Sequence, residues 1–173
     1  MFARHGAATI SSDDIVHELL HRDPQVKSAV LERWGHSVLA PDGEIDRRKV
    51  SGIVFSDRAE LAWLEALLHP RVAAAQLDWQ KKLAELADPP AVCVAEVPLL
   101  YEVGGESRFD AVVVISASPE IRASRVDRSL LEREDRLFSD EEKLARADFA
   151  YVNDGTVEDL DAFVAGVMAR LTT

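Results

Sequence analysis

The stretch that most constrains this fold is residues 91–102, Ala-Val-Cys-Val-Ala-Glu-Val-Pro-Leu-Leu-Tyr-Glu. It begins with a short apolar run that has the length and β-branched content of a strand buried on both faces. Glu96 stands at the end of this run, and Pro98 stops the hydrogen-bonded ladder because proline has no N–H and a fixed φ. In open α/β sheets, ligands bind beyond the carboxyl ends of the strands. We interpret residues 96–102 as a substrate-contacting turn or, equally, as an ordinary apolar plug at a strand end.

The charge balance argues against two classes of partner. The chain carries 20 Lys and Arg residues against 31 Asp and Glu residues, a formal net charge of −11. Nucleic-acid footprints and contacts with anionic membranes need clustered positive charge instead. We therefore predict no nucleic-acid partner and no membrane partner. A hydrophobic content of 47% in 173 residues is typical of a globular protein with one sizeable core.

Cys93 is the single cysteine of the chain, so it can build neither a disulfide framework nor a zinc-ligand cluster. Because it lies inside the apolar run, we predict that it is a small buried hydrophobic residue. No apolar stretch approaches membrane-spanning length, and the first residues lack the apolar core of a signal peptide. The sequence accordingly predicts a cytoplasmic protein.

The beginning of the chain predicts a short strand followed by a helix. Residues 7–10 form the predicted strand, and the oxygens of residues 11–14 are suited to cap a helix over residues 15–21. Asp13 is one of these capping candidates. The alternative is that Asp13, at the carboxyl end of a strand, holds a metal ion or a substrate hydroxyl.

The apolar spacing between residues 24 and 87 predicts several helices in succession. Asp46 and Asp57 are suited to cap two of them, and Pro70 is expected to end one helix and begin the next. One predicted helical face carries Val26, Val30 and Trp34. So much helix between the first two strands is too long for a simple crossover, and we predict a helical insertion that closes over a ligand.

The second half of the chain alternates strands and helices. Strands are predicted over residues 109–115 and 150–152, and residues 157–171 carry a regular apolar stripe typical of a final helix. This order predicts an α/β fold with a parallel sheet. Polar residues stand at predicted strand ends, which predicts one site along one edge of the sheet. They are Asp13, Glu96 and Asn153.

Five arginines occur between residues 122 and 136. Guanidinium groups match phosphate oxygens in pairs, so this segment is consistent with a lid that clamps phosphate. The alternative is a solvated helix whose arginines pair with neighbouring acids, because charge-laced helices are common.

Several segments, taken in order, resemble the dephospho-CoA kinase family over nearly the whole chain. Each segment is weak alone, but their order and spacing make the resemblance specific. The matching segments are Gly6-Ala7 with Asp13-x-Ile15, Asp42-Gly43-x-Ile45-Asp46-Arg47, Ile53-Val54-Phe55, Leu64-Glu65 with His69-Pro70, residues 96–102, residues 122–136, Glu142-Lys143 with Ala147-Asp148, and Asn153-Asp154-Gly155.

The resemblance implies an α/β fold, a three-layer P-loop NTPase-like parallel sheet with a helical substrate-binding insertion and a short lid. It implies a nucleotide-kinase core over residues 1–15, 88–121 and 146–173. It also implies a helical CoA-substrate domain over residues 16–87 and a lid over residues 122–145.

Members of this family use ATP and Mg²⁺ to phosphorylate the ribose 3′-hydroxyl of dephospho-CoA. The resemblance therefore implies a cytoplasmic monomer or weak homo-oligomer that acts on these two small molecules. It implies catalytic roles for Asp13 and Arg136, with Asp13 also the metal ligand. The implied acceptor-binding residues are Arg47, His69, Arg71, Glu96, Pro98, Leu99 and Tyr101. The implied ATP-binding residues are Arg125, Arg128, Arg133 and Asn153.

The sequence departs from the family pattern in two places. The family begins with a strand, a Gly-x-x-x-x-Gly-Lys-Ser/Thr loop and a helix, and this motif does not occur in these 173 residues. Residues 2–5 look like the last turn of a helix and Gly6 like its stop, so we expect the missing segment upstream of Met1 and weak ATP binding without it. Ser11 replaces the first aspartate of the family's Asp-Ala-Asp, which leaves the base role to Asp13 or to positioning alone. The alternative interpretation is a catalytically inactive relative that binds CoA or regulates.

Overall fold

A computed structural model of the chain describes the backbone of residues 1–125 and 138–173 and the side chains of residues 1–122 and 138–173. The strands are β1 (Ala8–Ser11), β2 (Cys93–Glu96), β3 (Val113–Ser116) and β4 (Phe149–Val152). The helices are α1 (Ser12–Arg22), α2 (Pro24–Trp34), α3 (Arg47–Ser56), α4 (Arg58–Ala84), α5 (Pro119–Arg125), α6 (Asp140–Arg146) and α7 (Val157–Leu171). Short 3₁₀ turns lie at Phe2–His5, Gly35–Val38 and Glu106–Arg108. No helix in this described part is long and apolar enough to cross a membrane.

The chain divides into two compact units. The helical unit comprises residues 10–96, and the sheet unit comprises residues 1–9 and 97–173. Strand β1 pairs with β2, and β3 pairs with β4. The β3–β4 pair is parallel, with Val113 opposite Phe149 and Ser116 opposite Val152.

The core of the helical unit is formed by side chains from α1 to α4 and from the segment between α2 and α3. Val26 and Val30 are fully buried, which confirms the predicted apolar face of α2. The third residue of that face, Trp34, stacks edge-on against Trp63 with ring centroids 5.0 Å apart. Its indole N–H donates to Glu60 Oε2 at 2.6 Å. The buried residues of this cluster are Leu20, Val26, Val30, Val38, Ile45, Val50, Val54, Leu64 and Leu68.

Two aspartates begin their helices as the sequence predicts. Asp46 accepts hydrogen bonds from the backbone of Arg48 and Lys49 and caps α3, and Asp57 accepts one from Ala59 and caps α4. The capping prediction for residues 11–14 is wrong. Ser11 occupies the N-cap position of α1 but makes no side-chain capping bond, and residues 12–14 lie inside the helix, which begins three residues earlier than predicted.

Pro70 does not end a helix, so that prediction is also wrong. Helix α4 runs without interruption from Arg58 to Ala84 with Pro70 inside it. The missing N–H and ring clash of an internal proline cost about 3 kcal/mol. Burial along one face on both sides of it, at Leu64 and Leu68 before and Gln76 after, offsets this cost. The Arg71 guanidinium donates to the Leu67 carbonyl at 2.7 Å in the turn that contains Pro70.

In the sheet unit, the apolar stripe predicted for helix α7 is buried in its middle but exposed at its two ends, where Val157 is 61% and Leu171 is 37% exposed. Val164, Val167 and Met168 are buried, and Phe163 stacks on Tyr151 of β4 with centroids 4.8 Å apart. Gly6 ends the first 3₁₀ turn with φ 90°, a left-handed conformation that glycine adopts without steric cost. This confirms its predicted role as a helical stop.

The prediction that Cys93 is buried is wrong. Cys93 is exposed, and Glu96 at the other end of β2 is exposed as well. In the described part of the chain β2 pairs with β1 alone. An apolar run is buried on both faces only where other elements cover it, and composition alone does not reveal that cover.

Truncating Leu68 tests the assigned core of the helical unit. Leu68→Ala should lower the free energy of unfolding by about 2–5 kcal/mol because it leaves a cavity among buried side chains. Leu77 lies on the same helix and is 52% exposed, so Leu77→Ala is the matched control, with an expected change within about 0.5 kcal/mol. Urea denaturation followed by circular dichroism measures both. Equal losses for the two variants would contradict the core assignment.

Candidate active site

A buried hydroxyl joins the beginning of α1 to the end of β2. Ser12 Oγ donates to the Glu96 carbonyl oxygen at 2.6 Å and accepts from Gln76 Nε2 at 3.1 Å. Ser12 is 8% exposed and Gln76 is 5% exposed, and they are the two buried polar residues of the described chain. We call this group, Ser12 with Gln76 and the Glu96 carbonyl, the Ser12 hub. It fixes three elements, α1, α4 and β2, at a single point.

The Ser12 hub brings together two of the predicted site residues. Asp13 is adjacent to Ser12 in the first turn of α1, and Glu96, the last residue of β2, supplies the carbonyl that Ser12 binds. Both side chains are exposed. Two accessible carboxylates therefore start from neighbouring points at one edge of the β1–β2 sheet. Such groups can orient a sugar hydroxyl, accept its proton or contribute a metal ligand.

Arg47 lies against the same helix that Asp13 begins. Its Nη1 atom is 3.3 Å from Nδ1 of His17, and His17 is four residues after Asp13, so the two share a face of α1. The His17 ring packs edge-on against His21 with centroids 5.2 Å apart. Arg47 is exposed. An exposed guanidinium beside imidazole rings is suited to hold an anionic ligand group.

Lys27 and His21 both contact the carboxylate of Glu44, and the His21 ring packs against His17, the partner of Arg47. Glu44 Oε1 accepts from Lys27 Nζ at 3.1 Å, and Glu44 Oε2 lies 3.3 Å from His21 Nδ1. The Lys27 hydrogen bond, followed by the contact with His21, lowers the pKa of the Glu44 carboxyl. Glu44 therefore balances the positive charge of Lys27 and does not pair with Arg47.

His69 and Arg71 both lie on α4, but they have different surroundings. His69 is exposed. The Arg71 side chain turns onto its own helix, where it binds the Leu67 carbonyl and approaches Asp23 Oδ2 at 3.9 Å. Arg71 is therefore engaged in structure, whereas His69 is accessible to a ligand.

The turn that follows β2 lies in the sheet unit. Backbone hydrogen bonds from Gly105 to the Leu100 carbonyl at 2.9 Å and from Gly104 to the Tyr101 carbonyl at 3.1 Å close it. Pro98 and Leu99 are exposed, whereas Tyr101 is 6% exposed. We refer to residues 98–105 as the 98–105 turn. The first two side chains of this turn face solvent, and Tyr101 is buried.

Tyr101 has an unusual environment. Its hydroxyl oxygen is buried and has no hydrogen-bond partner, and the Arg146 guanidinium lies 4.4 Å from the centre of its ring. Burial raises the pKa of the Tyr101 phenol, and the positive charge of Arg146 opposes that rise. The Tyr101 phenol is thus neutral at physiological pH, and its ring is packed against the Arg146 guanidinium.

Asn153 follows β4, and its backbone N–H donates to the Ser116 carbonyl at 2.7 Å. The next residue, Asp154, accepts from the backbone N–H of Ser118 at 2.8 Å. Asn153 thus lies at the carboxyl ends of the paired strands β3 and β4, as expected from its position in the sequence.

The predicted lid, residues 122–145, lies partly outside the described residues, and most of its arginines fall in the undescribed part. Arg128, Arg133 and Arg136 belong to residues 126–137, and the Arg125 side chain is likewise outside. Arg122 is described, and its Nη1 atom pairs with Asp140 Oδ2 at 3.2 Å.

Sequence reasoning missed four residues that organise these groups. Gln76 was detectable, since it continues the buried face of α4 at a four-residue interval from Leu68 through position 72. A lone polar residue at a core position of that kind indicates a buried hydrogen bond. Ser12 carried no signal beyond its capping potential. Lys143 lies in a segment that resembles the family and Arg146 does not, but the sequence assigned a role to neither, although each contacts the segment that follows β2.

Removing the Ser12 hydroxyl tests the hub. Ser12→Ala should lower the free energy of unfolding by about 1–3 kcal/mol because Gln76 Nε2 loses an acceptor and the Glu96 carbonyl loses a donor in a buried site. The neighbouring Ser11→Ala is the matched control, since Ser11 makes no capping bond, and should change stability little. A Gln76→Leu/Ser12→Ala double variant should recover part of the loss. Purely additive urea-denaturation values would contradict the hub.

Comparison with known proteins identifies the family. The family profile described as CoaE, dephospho-CoA kinase, matches residues 1–159. The dephospho-CoA kinase of Streptomyces avermitilis is 38% identical, covering 99% of this chain and 85% of its own length. That of Thermobifida fusca is 34% identical, covering 98% and 86%.

Solved structures agree with this assignment. TT1252 from Thermus thermophilus matches with a TM-score of 0.76 and 29% identity, covering 99% of this chain and 89% of its own. The dephospho-CoA kinase from Campylobacter jejuni has the same fold, with a TM-score of 0.71, 23% identity and coverage of 98% and 87%. These likenesses confirm the predicted α/β, P-loop NTPase-like fold. The chain belongs to the dephospho-CoA kinase family.

Proposed function

We propose that this chain transfers the terminal phosphoryl group of ATP to the ribose 3′-hydroxyl of dephospho-CoA. Its family supports the reaction class. The structural observation that carries the proposal is the Ser12 hub, which holds Asp13 at the carboxyl end of β2. An acceptor hydroxyl must be fixed in line with the transferred group, because phosphoryl transfer depends mainly on positioning and charge stabilisation.

Asp13 is the residue that we assign to the acceptor hydroxyl. Its carboxylate is exposed in the first turn of α1, so a ligand can reach it. Asp13 orients the hydroxyl and accepts its proton as the bond to phosphorus forms. In a loose transition state the proton leaves late, so orientation by Asp13 contributes more than its basicity.

We assign Arg47, which contacts His17, to the anionic part of the acceptor. Dephospho-CoA carries a pyrophosphate, and a guanidinium pairs with phosphate oxygens through two parallel hydrogen bonds. His69 and Glu96 are the other exposed residues of the helical unit among the predicted acceptor contacts. The acceptor roles of Arg71, Glu96, Pro98, Leu99 and Tyr101, and the nucleotide role of Asn153, remain part of the same proposal.

Mg²⁺ is a further part of the proposal. In the described residues, no three or more His, Cys, Asp or Glu side chains are arranged to hold a metal ion. Enzymes commonly hold Mg²⁺ through one or two carboxylates while phosphate oxygens and water complete its shell, and Asp13 offers an exposed carboxylate. Asp13 would be the protein ligand, and the bound ion would neutralise charge on the transferred phosphate.

A coupled ADP-release assay tests the proposal. ATP, Mg²⁺ and dephospho-CoA are supplied to the 173-residue chain and to a version extended at its N-terminus by a strand and a Gly-x-x-x-x-Gly-Lys-Thr loop. Backbone N–H groups of such a loop grip phosphates, so we expect faster ADP release from the extended version. Variants are compared in the version that turns over faster.

The same assay distinguishes the alternative. Tight calorimetric binding of dephospho-CoA without any ADP release from either version would overturn the kinase proposal and favour an inactive CoA-binding relative. Equal rates from the two versions would contradict the expected contribution of the loop.

Asp13→Asn should lower kcat by about 100-fold or more, because the neutral amide neither accepts the hydroxyl proton nor supplies a charged ligand to Mg²⁺. Asp14→Asn is the matched control: Asp14 is the next residue, also exposed in the first turn of α1. If both substitutions lower kcat equally, the loss comes from the helix terminus and the assignment of Asp13 is wrong.

Arg47→Met should raise the KM for dephospho-CoA about tenfold or more, because a charged hydrogen bond to phosphate is lost. Its neighbour Arg48, also exposed, supplies the control Arg48→Met, which should leave the KM near its original value. Steady-state kinetics at saturating ATP separates the two. An unchanged KM in Arg47→Met would remove Arg47 from the acceptor site.

A further inference from the structure

We propose that Lys143 and Arg146 of α6 are positioning residues that hold the 98–105 turn in the conformation that binds the acceptor. This inference rests on the proposed function, because it takes the turn as a contact for dephospho-CoA. Neither residue needs to touch the substrate. Each acts through a buried or packed side chain of the turn.

The first contact is an ion pair at Glu102. Both Glu102 carboxylate oxygens are shielded from solvent and accept no well-aligned hydrogen bond, and the side chain is 11% exposed. Lys143 Nζ lies 2.7 Å from Oε1 and is itself 18% exposed. A shielded carboxylate is costly unless a positive charge compensates it. Lys143 therefore determines where Glu102, and with it the middle of the turn, can lie.

The second contact is made by Arg146. Its guanidinium lies over the ring of Tyr101 at 4.4 Å and over that of Phe138 at 4.9 Å. It also forms an ion pair with Glu106, which directly follows the turn. A cation between two aromatic faces is attracted by both. The turn is thus held by α6 at Tyr101, at Glu102 and just beyond its last residue.

Helix α6 is itself fixed at its other end, so it can serve as a rigid support. Ser139 and Glu142 form a reciprocal capping box at its first turn. Asp140 Oδ2 accepts from Ser116 Oγ at 2.5 Å and pairs with Arg122 Nη1 at 3.2 Å. Because Ser116 ends β3, the sheet sets the position of α6, and α6 sets the position of the turn.

This arrangement explains why the turn can display apolar groups. Pro98 and Leu99 are exposed, and exposed apolar residues gain ligand-binding energy only when they are held in place beforehand. The contacts at Tyr101 and Glu102 restrict the turn without occupying Pro98 or Leu99. Loss of the support should therefore weaken acceptor binding more than the chemical step.

Kinetics of Lys143→Met tests the role in binding. We expect the KM for dephospho-CoA to rise about tenfold, the size of one lost charged contact, with the KM for ATP and kcat nearly unchanged. Lys143→Arg, which retains the charge, should retain most of the affinity. The double variant Glu102→Gln/Lys143→Met should recover part of it, because neither partner then leaves an unpaired buried charge. The exposed Lys82→Met on α4 is the control for loss of a lysine.

Amide hydrogen exchange of the ligand-free protein tests the support itself. The amides of Val103, Gly104 and Gly105, which close the turn, should exchange faster in Lys143→Met than in Lys82→Met. Unchanged exchange would overturn the positioning role whether or not the protein is a kinase. Lower thermal stability with an unchanged KM for dephospho-CoA would overturn it too, since that is the result of a merely structural contact. Absence of turnover in the unsubstituted protein, with faster exchange in Lys143→Met, would overturn the proposed function instead.

Discussion

The hydroxyl of Ser12 is the contact on which the candidate site of the helical unit depends. It satisfies a carbonyl at the end of β2 and an amide on α4 in a buried location, where an unpaired group costs far more than a pair contributes. The contact therefore specifies one arrangement of α1 and β2. The Ser12 contact also restricts the position of Asp13, because Asp13 directly follows Ser12 in the chain. Asp13 can then be exposed to a ligand while its backbone stays fixed by buried structure.

In the sheet unit, contacts of charged side chains restrict the backbone, as neutral hydrogen bonds do in the helical unit. Helix α6 is tied to the end of β3 through Asp140, and it carries Lys143 and Arg146 to the turn that follows β2. A shielded carboxylate such as Glu102 adds little net stability but tolerates few alternative positions. In both units, exposed side chains that we propose to contact ligands thus lie next to buried polar contacts that restrict the backbone. Preorganisation of this kind lets binding energy go into orienting the substrates.

Local features of the fold were predictable from the sequence, whereas features that depend on packing between elements were not. The caps at Asp46 and Asp57 follow from chemistry within one helical turn. The continuous path of α4 through Pro70 does not, because burial on both sides of the proline overrides its local preference. Cys93 is exposed for the same kind of reason: its surroundings are set by which strands pair with β2. In the site, the position of Asp13 at a strand end was visible in the sequence, but the supporting contact with Gln76 joins residues 64 positions apart.

A crystal structure with dephospho-CoA bound tests the central claim most directly. The account predicts that the ribose 3′-hydroxyl oxygen lies about 3 Å from an Asp13 carboxylate oxygen, within hydrogen-bond reach, with the Ser12 contacts to Gln76 and Glu96 unchanged. A complex in which the ribose binds away from the start of α1, so that no oxygen of Asp13 reaches the hydroxyl, would contradict it.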